Sequence, residues 1–278
     1  GGIDWLQQGQ SHDAVLVTNK KNGYQLDFGA ALNNNNEALY ESAYVTNYKN
    51  MQFIWFNQKF SKLSLSFLAL NNGYQYENLV ENKFQVAYLQ TIGTYGKWDA
   101  SKFYGDFGLY AQTGEAAITN DKVAVGAYYA GFNLGYKFTN PFKAELGFEY
   151  LSGKDQNDTD TKVKSFTPLF GTNHGFNGLM DYFYVGNHKN SVGLQDFYTK
   201  FIYDKNKWQV TLVPHLFYSA ASVYNMTTLE EQDSYLGTEI DLTATYKLDK
   251  NFVISGGISK MFASDTMEIL KGGNNSNG

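Results

Sequence analysis

The chain has 278 residues, a formal net charge of -5, 22 tyrosines, 21 phenylalanines and 27 glycines, but 3 prolines and no cysteine. The acidic balance leaves no basic footprint for nucleic acid, and no run of eighteen apolar residues supplies a transmembrane helix. A mean hydropathy of -0.41 with 17% aromatic residues instead suits a membrane β-barrel, in which an apolar lipid face and a polar lumen average out.

The first residues, Gly1-Gly2-Ile3-Asp4-Trp5, show no basic n-region and no apolar h-region, so no signal peptide is expected within the chain. Period-two alternation then predicts strands near 12–19, 23–33, 50–58, 61–71, 82–93, 100–113, 121–138, 142–152, 191–204, 206–219, 233–248 and 250–264. In the second, Tyr24, Leu26, Phe28, Ala30 and Leu32 oppose Gln25, Asp27 and Gly29. In the eighth, Phe142, Ala144, Leu146, Phe148 and Tyr150 oppose Lys143, Glu145, Gly147 and Glu149. Near the end, Ile240, Leu242, Ala244 and Tyr246 oppose Glu239, Asp241, Thr243, Thr245 and Lys247.

The connections alternate in length. Segments 20–23, 58–61, 139–141, 204–207 and 248–251 are tight and rich in turn-formers, whereas 34–49, 72–81, 114–120, 153–190 and 220–232 are longer polar loops. A soluble β-sandwich or lipocalin-like barrel would also alternate along its strands. Long strands joined by short and long connections in turn favour an outer-membrane meander with periplasmic turns and extracellular loops. The expected fold is therefore all-β, a transmembrane antiparallel meander barrel of the bacterial outer membrane, read as one domain over 1–278. The first and last turns are both short, which puts both chain ends outside. Flanking strands are therefore expected, giving a complete even-numbered barrel of at least about fourteen strands around the roughly twelve seen here.

With Phe142, Phe148, Tyr150, Ile240, Tyr246, Phe252 and Ile254 toward lipid, the expected pore-lining residues are Lys143, Glu145, Glu149, Glu239, Asp241 and Lys247. A lysine on the lipid face at mid-bilayer would cost about 2–4 kcal/mol, which fixes this orientation. Strand parity adds His215 to the luminal set, and the preceding Pro214, which cannot donate to a ladder, predicts an irregularity there. The luminal set is mixed in sign.

One segment follows neither period: Thr167-Pro-Leu-Phe-Gly-Thr-Asn-His-Gly-Phe-Asn-Gly-Leu-Met-Asp-Tyr-Phe183, inside the 153–190 connection. Together with Trp5-Leu-Gln-Gln-Gly-Gln-Ser-His-Asp-Ala14, Leu236-Gly-Thr-Glu-Ile-Asp-Leu242 and Ser259-Lys-Met-Phe262, it resembles the alginate-export family of Gram-negative outer-membrane barrels, in a Bacteroidetes-type version. The resemblance implies a channel, with polysaccharide export known for the namesake.

Pro168, Gly171, Asn173, His174, Gly178 and Asp181 mark this segment as an extracellular or pore loop that constricts the lumen. Its oxygen ligands would suit a divalent cation or a sugar. Without a regular ligand spacing, His174 and Asp181 read instead as groups that hold the loop's shape. Asp155-Gln-Asn-Asp-Thr-Asp160 lacks the glycine and closing glutamate of a calcium loop and reads as a solvated loop. His12-Asp13 is expected in a girdle or loop contact. No motif brings a nucleophile to a base, so neither enzyme activity nor any cofactor or metal is expected. The expected function is a porin-like channel for a hydrophilic solute or glycan, with outer-membrane lipid or lipopolysaccharide around it. The alternative is an accessory barrel with a plugged lumen that docks other outer-membrane or periplasmic proteins.

Overall fold

The computed structural model describes residues 2–3, 6–9, 12–33, 47–170, 177–183, 188 and 191–272. Strands β1 (Gly2–Ile3) and β2 (Leu6–Gly9) form a small antiparallel pair. The remaining strands are β3 (Ala14–Lys21), β4 (Tyr24–Leu32), β5 (Asn50–Lys59), β6 (Leu63–Asn78), β7 (Lys83–Ala100) and β8 (Phe103–Ala117), then β9 (Lys122–Lys137), β10 (Phe142–Leu151), β11 (Leu194–Lys205), β12 (Trp208–Tyr218), β13 (Tyr235–Lys247) and β14 (Val253–Ala263). They make one 12-stranded sheet in strict sequence order, every pair antiparallel, with β3 and β14 at its two edges. Helix α1 (Asp265–Lys271) follows, its N-terminus capped by Ser264, whose hydroxyl accepts from the Met267 N–H. Among the described residues no helix is long and apolar enough to cross a membrane.

The two faces of the sheet reverse the usual order of a globular protein. Outward residues are apolar and exposed: Leu146 at mid-strand is 62% exposed and Phe197 43%, while the Phe148 and Phe197 rings meet at 4.6 Å. Inward residues are polar and buried: Asp196 and Glu239 are 0% exposed and Asp241 2%. The outward belt has polar limits. Toward the longer connections, Gln90 donates to Asn71 (2.7 Å), Asn71 to Gln52 (2.7 Å) and Gln52 to Asn50 (3.0 Å), an amide ladder across β5–β7. On β9 and β10 the outward Tyr128 and Tyr150 rings stack at 5.5 Å. Toward the short turns, Phe138, Phe142, Trp208 and Phe252 are outward and exposed. Tyr128 and Tyr150 at one end and Trp208 at the other are amphipathic rings of the kind a membrane interface favours.

The sequence-based boundaries hold within a few residues, with one systematic departure. Segments 72–81 and 114–120, expected as long polar loops, are mostly strand: β6 runs to Asn78 and β8 to Ala117, leaving turns at 79–82 and 118–121. Segment 94–99, which falls between two expected strands, is also strand, because β7 continues to Ala100. The physical reason is that polar composition does not end a ladder above the apolar belt. Tyr74 and Tyr76 still alternate inward opposite Ala87 and Gln85, and the Tyr76 hydroxyl donates to Gln85 at 2.6 Å. The irregularity expected at Pro214 is present on one side. Its β11 ladder lapses between the Tyr198–His215 and Phe201–Leu212 pairs, whereas its β13 ladder runs through.

The 152–193 connection folds over the inward face. Val163 bridges Val125 in β9, and the Gln112 side chain grips Thr167 twice, donating to its carbonyl (2.8 Å) and accepting from its N–H (3.1 Å). Phe166 and Phe183 join a buried cluster with Leu89, Leu151, Phe217, Leu236 and Met267, while Leu169 and Phe170 pack against Ala31, Tyr48, Met51 and Leu70. Residues of this connection thus share buried clusters with inward residues from β4 to β14.

Inward tyrosines lie flat over glycines of the adjacent strand, a cross-strand pairing that fills the gap a missing side chain leaves. At Gly147 a Cβ would stand 2.1 Å from Cζ of Tyr198, its directly opposite neighbour. Gly147→Val is therefore expected to destabilise the sheet by about 1–3 kcal/mol through overpacking. Denaturant unfolding should show that cost, and in a Tyr198→Ala background the added penalty should largely vanish; an undiminished penalty would assign the cost to the backbone instead.

Candidate functional site

The site is built by register. Glu149 in β10 stands opposite Asp196 in β11, and His215 in β12 stands opposite Glu239 in β13, with Asp241 two residues on, so strand alternation turns all five inward. Asp196 accepts from His215 Nδ1 at 2.9 Å, and His215 Nε2 lies 3.8 Å from Asp241 Oδ2. The loop supplies the remaining donors. Asn177 Nδ2 donates to Glu149 (3.0 Å) and to Asp196 (3.2 Å), the Leu179 N–H to Asp241 (3.2 Å) and the Met180 N–H to Glu239 (2.9 Å).

This close approach explains two residue choices. Asn177 has a φ of 56°, a left-handed conformation that asparagine tolerates better than most side chains. Gly178 follows at φ 88°, and a Cβ there would stand 2.6 Å from Glu239 Oε1. Only a glycine lets the backbone turn its next two N–H groups onto the carboxylates.

Two cavities flank the docked loop. One of about 290 Å³ is lined by Glu149, Asp241, His215, Lys200 and the loop residues Asn177–Leu179. The other, about 600 Å³, lies between the loop at Phe166, Pro168, Leu169 and His188 and a wall carrying Tyr110, Tyr129, Tyr198, Asp106 and Asn133. Asn133 ties that wall together, donating to Asp106 at 3.1 Å while its carbonyl accepts from the Tyr198 hydroxyl.

The structure therefore gathers four of the expected pore-lining residues, Glu149, Glu239, Asp241 and His215, into one cluster. Glu145 sits apart, accepting from the Tyr104 hydroxyl (2.9 Å) with Lys200 at 3.8 Å. Lys143 and Lys247 lie beside the short turns at the far end of their strands. Of the loop set, Pro168 lines the larger cavity, Gly178 faces Glu239, and Asp181 sits half-buried at φ 59°. Gly171, Asn173 and His174 lie outside the described residues. His12 makes a loop contact rather than a girdle one, with Nδ1 2.7 Å from the hydroxyl of the buried Tyr48 and its ring edge-on to Phe170 at 5.2 Å. The acidic 155–160 stretch is braced rather than free: Lys164 bonds Asp158 at 2.6 Å, and Asp155 accepts from the Ser222 N–H at 2.7 Å.

Asp196 is the member of the cluster that sequence reasoning missed, although the alternation Leu194, Asp196, Tyr198 against Phe197 and Phe201 carries the signal that would have found it. Nothing local marks Asn177 as the residue that bridges two carboxylates.

The loop is held by α1 as well. Lys271 of α1 donates to the Tyr182 carbonyl at 2.7 Å, and its ammonium stands 5.1 Å from the Phe183 ring centroid. His188 is buried, and its Nε2–H donates to the Phe183 carbonyl at 2.9 Å. Burial pushes the His188 imidazole down from 6.5 to about 4. Because the folded value is depressed, the contribution of neutral His188 is complete above pH 6.5 and is lost as pH falls toward 4. Hydrogen exchange at Leu179 and Met180, taken relative to the intrinsic rate at each pH, should accelerate as pH falls across that window in the wild type. The acceleration should be absent in His188→Gln, whose amide can keep the bond to Phe183 without titrating. An identical pH response in both proteins would contradict this role.

No family model and no curated protein sequence matches the chain. Among solved structures, the chain is similar to one described as "Copper transporter OprC", at 11% identity and a TM-score of 0.42 over 88% of this chain. The match covers 39% of the length of that protein.

Proposed function

We propose that the chain forms the wall of an outer-membrane channel for a hydrophilic solute, with the 152–193 connection narrowing its lumen. The observation that carries this reading is the inverted sheet: an exposed apolar outer face limited by aromatic and amide residues, and a polar inner face wrapped around a docked loop. An apolar belt of this extent is an interaction surface, and strands such as β5 and β10, at 10 residues each, have the roughly 9–11 residues a tilted strand needs to cross the hydrocarbon layer. Transport follows by steric sieving and luminal charge rather than by catalysis. The alginate-export resemblance supports a polysaccharide among the solutes, and the tyrosine- and amide-lined larger cavity offers rings and hydrogen-bonding groups suited to a sugar.

The second reading, an accessory barrel that docks other envelope proteins, is favoured by one feature. Phe166, Phe183 and Met267 fill part of the lumen with apolar packing, as a plug would. Reconstitution of the full-length protein in a planar bilayer separates the two. A steady conductance that rises when residues 165–187 are replaced by a short Gly/Ser linker supports the constricted channel. A bilayer that stays closed in the wild type and opens only on that replacement supports the plugged accessory barrel.

A further inference from the structure

On the outward face, cross-strand register sets two rows of side chains across β4 to β7. The upper row, on the side of the longer connections, runs Ala30, Gln52, Asn71 and Gln90, and the lower runs Phe28, Ile54, Ala69 and Ile92. Ala69 is the short side chain of the lower row, and Ile54 and Ile92, 47% and 57% exposed, flank it on the adjacent strands. With Val15 and Val17 of β3 these rows bound an outward groove of about 500 Å³. No charged side chain is among its described lining residues.

The amides give the groove a polar rim. Each carboxamide has two N–H donors and a carbonyl oxygen. The ladder along the row uses one N–H each of Gln90, Asn71 and Gln52. The second N–H of each has no protein partner among the described residues. At the edge of the hydrocarbon layer an unmet donor is costly. An acyl chain lying in the apolar groove carries its linkage group up to this row, where its carbonyl oxygen meets those donors.

We infer that this groove seats one acyl chain of a lipopolysaccharide molecule, with the amide row bonding the ester or amide group at which the chain is attached. The uncharged rim matches that neutral linkage and offers no counter-charge to a phosphate. The row stands on the side of the longer connections, which in an outer-membrane barrel is the extracellular side, so the lipid it meets is that of the outer leaflet. Lipopolysaccharide linkages bring amide N–H groups and hydroxyls as well as carbonyls, and so match both the donors and the acceptors of a carboxamide row. A phospholipid ester only accepts. The inference rests on the reading that the outward face meets outer-membrane lipid, and it holds whether or not the lumen conducts.

The test is native mass spectrometry of the full-length protein, reconstituted into vesicles of phosphatidylethanolamine and purified lipopolysaccharide and released in mild detergent. The wild type is expected to retain one lipopolysaccharide per chain. Retention is expected to fall several-fold in Ala69→Phe, which fills the groove. It is expected to fall likewise in the triple variant Gln52→Leu, Asn71→Leu and Gln90→Leu, which removes the rim donors. Leu146→Phe, at an outward position of β10 away from the groove, is expected to retain the lipid as the wild type does. A wild type that retains no lipopolysaccharide, or holds phosphatidylethanolamine equally well, overturns the inference. So does retention unchanged in both groove variants, or a loss in Leu146→Phe as large as in Ala69→Phe. Ala69→Phe adds one apolar ring to an outward position and leaves the inward face untouched, so it decides the matter if the triple variant does not fold. A protein that does not enter the vesicles at all overturns the membrane reading itself, a result distinct from insertion without a retained lipid.

Discussion

An antiparallel sheet that alternates its side chains can be apolar on one face and charged on the other, but each face then requires its own solvent. In this chain the apolar face points out and the charged face points in. In hydrocarbon every backbone donor and acceptor must be met within the protein, which a continuous hydrogen-bonded ladder does for the strands between the edges β3 and β14. The inward face must meet water or protein, because a buried polar group without a partner costs more than a made hydrogen bond returns. The docked connection follows from the second requirement. It covers carboxylates of the wall with backbone N–H groups and one asparagine amide, and it brings its own apolar side chains, Phe166 and Phe183, to the apolar part of the inward face.

That arrangement joins distant parts of the chain. Thr167 is gripped by Gln112, Leu179 and Met180 are held by Asp241 and Glu239, and Tyr182 is held by Lys271. The loop is thus pinned to β8, β13 and α1 in turn, and its position depends on the register of strands far from it in sequence. Asn177 and Gly178, both left-handed, are the point at which the loop backbone turns toward the wall. A larger side chain at Gly178 would press on Glu239 and push the donors away from their acceptors.

Much of the fold was legible because alternation is a local property. Leu146 against Glu145, and Ile240 against Asp241, state the two faces without knowledge of any partner strand, and a cluster such as Asp204-Lys-Asn-Lys207 marks a tight turn. The protruding hairpins were less legible: Asn71-Asn-Gly-Tyr-Gln-Tyr-Glu-Asn78 is polar because it extends past the apolar belt, and polarity by itself reads as loop. The site was half legible. Parity turned Glu149, His215, Glu239 and Asp241 inward, but their meeting with Asp196 depends on cross-strand register, and the docking of Asn177 depends on which way a long connection folds. Neither is written in any short window of sequence.

The claim on which the rest depends is that the outward face of the sheet meets lipid. The chain has no cysteine, so single cysteines introduced one at a time from Phe142 to Leu151 can carry a nitroxide label in the reconstituted protein. The account predicts strict alternation: labels at 144, 146 and 148 relaxed by oxygen dissolved in the bilayer, and labels at 143 and 145 relaxed by a water-soluble nickel complex. Equal access of the water-soluble reagent to both faces of β10 would contradict it.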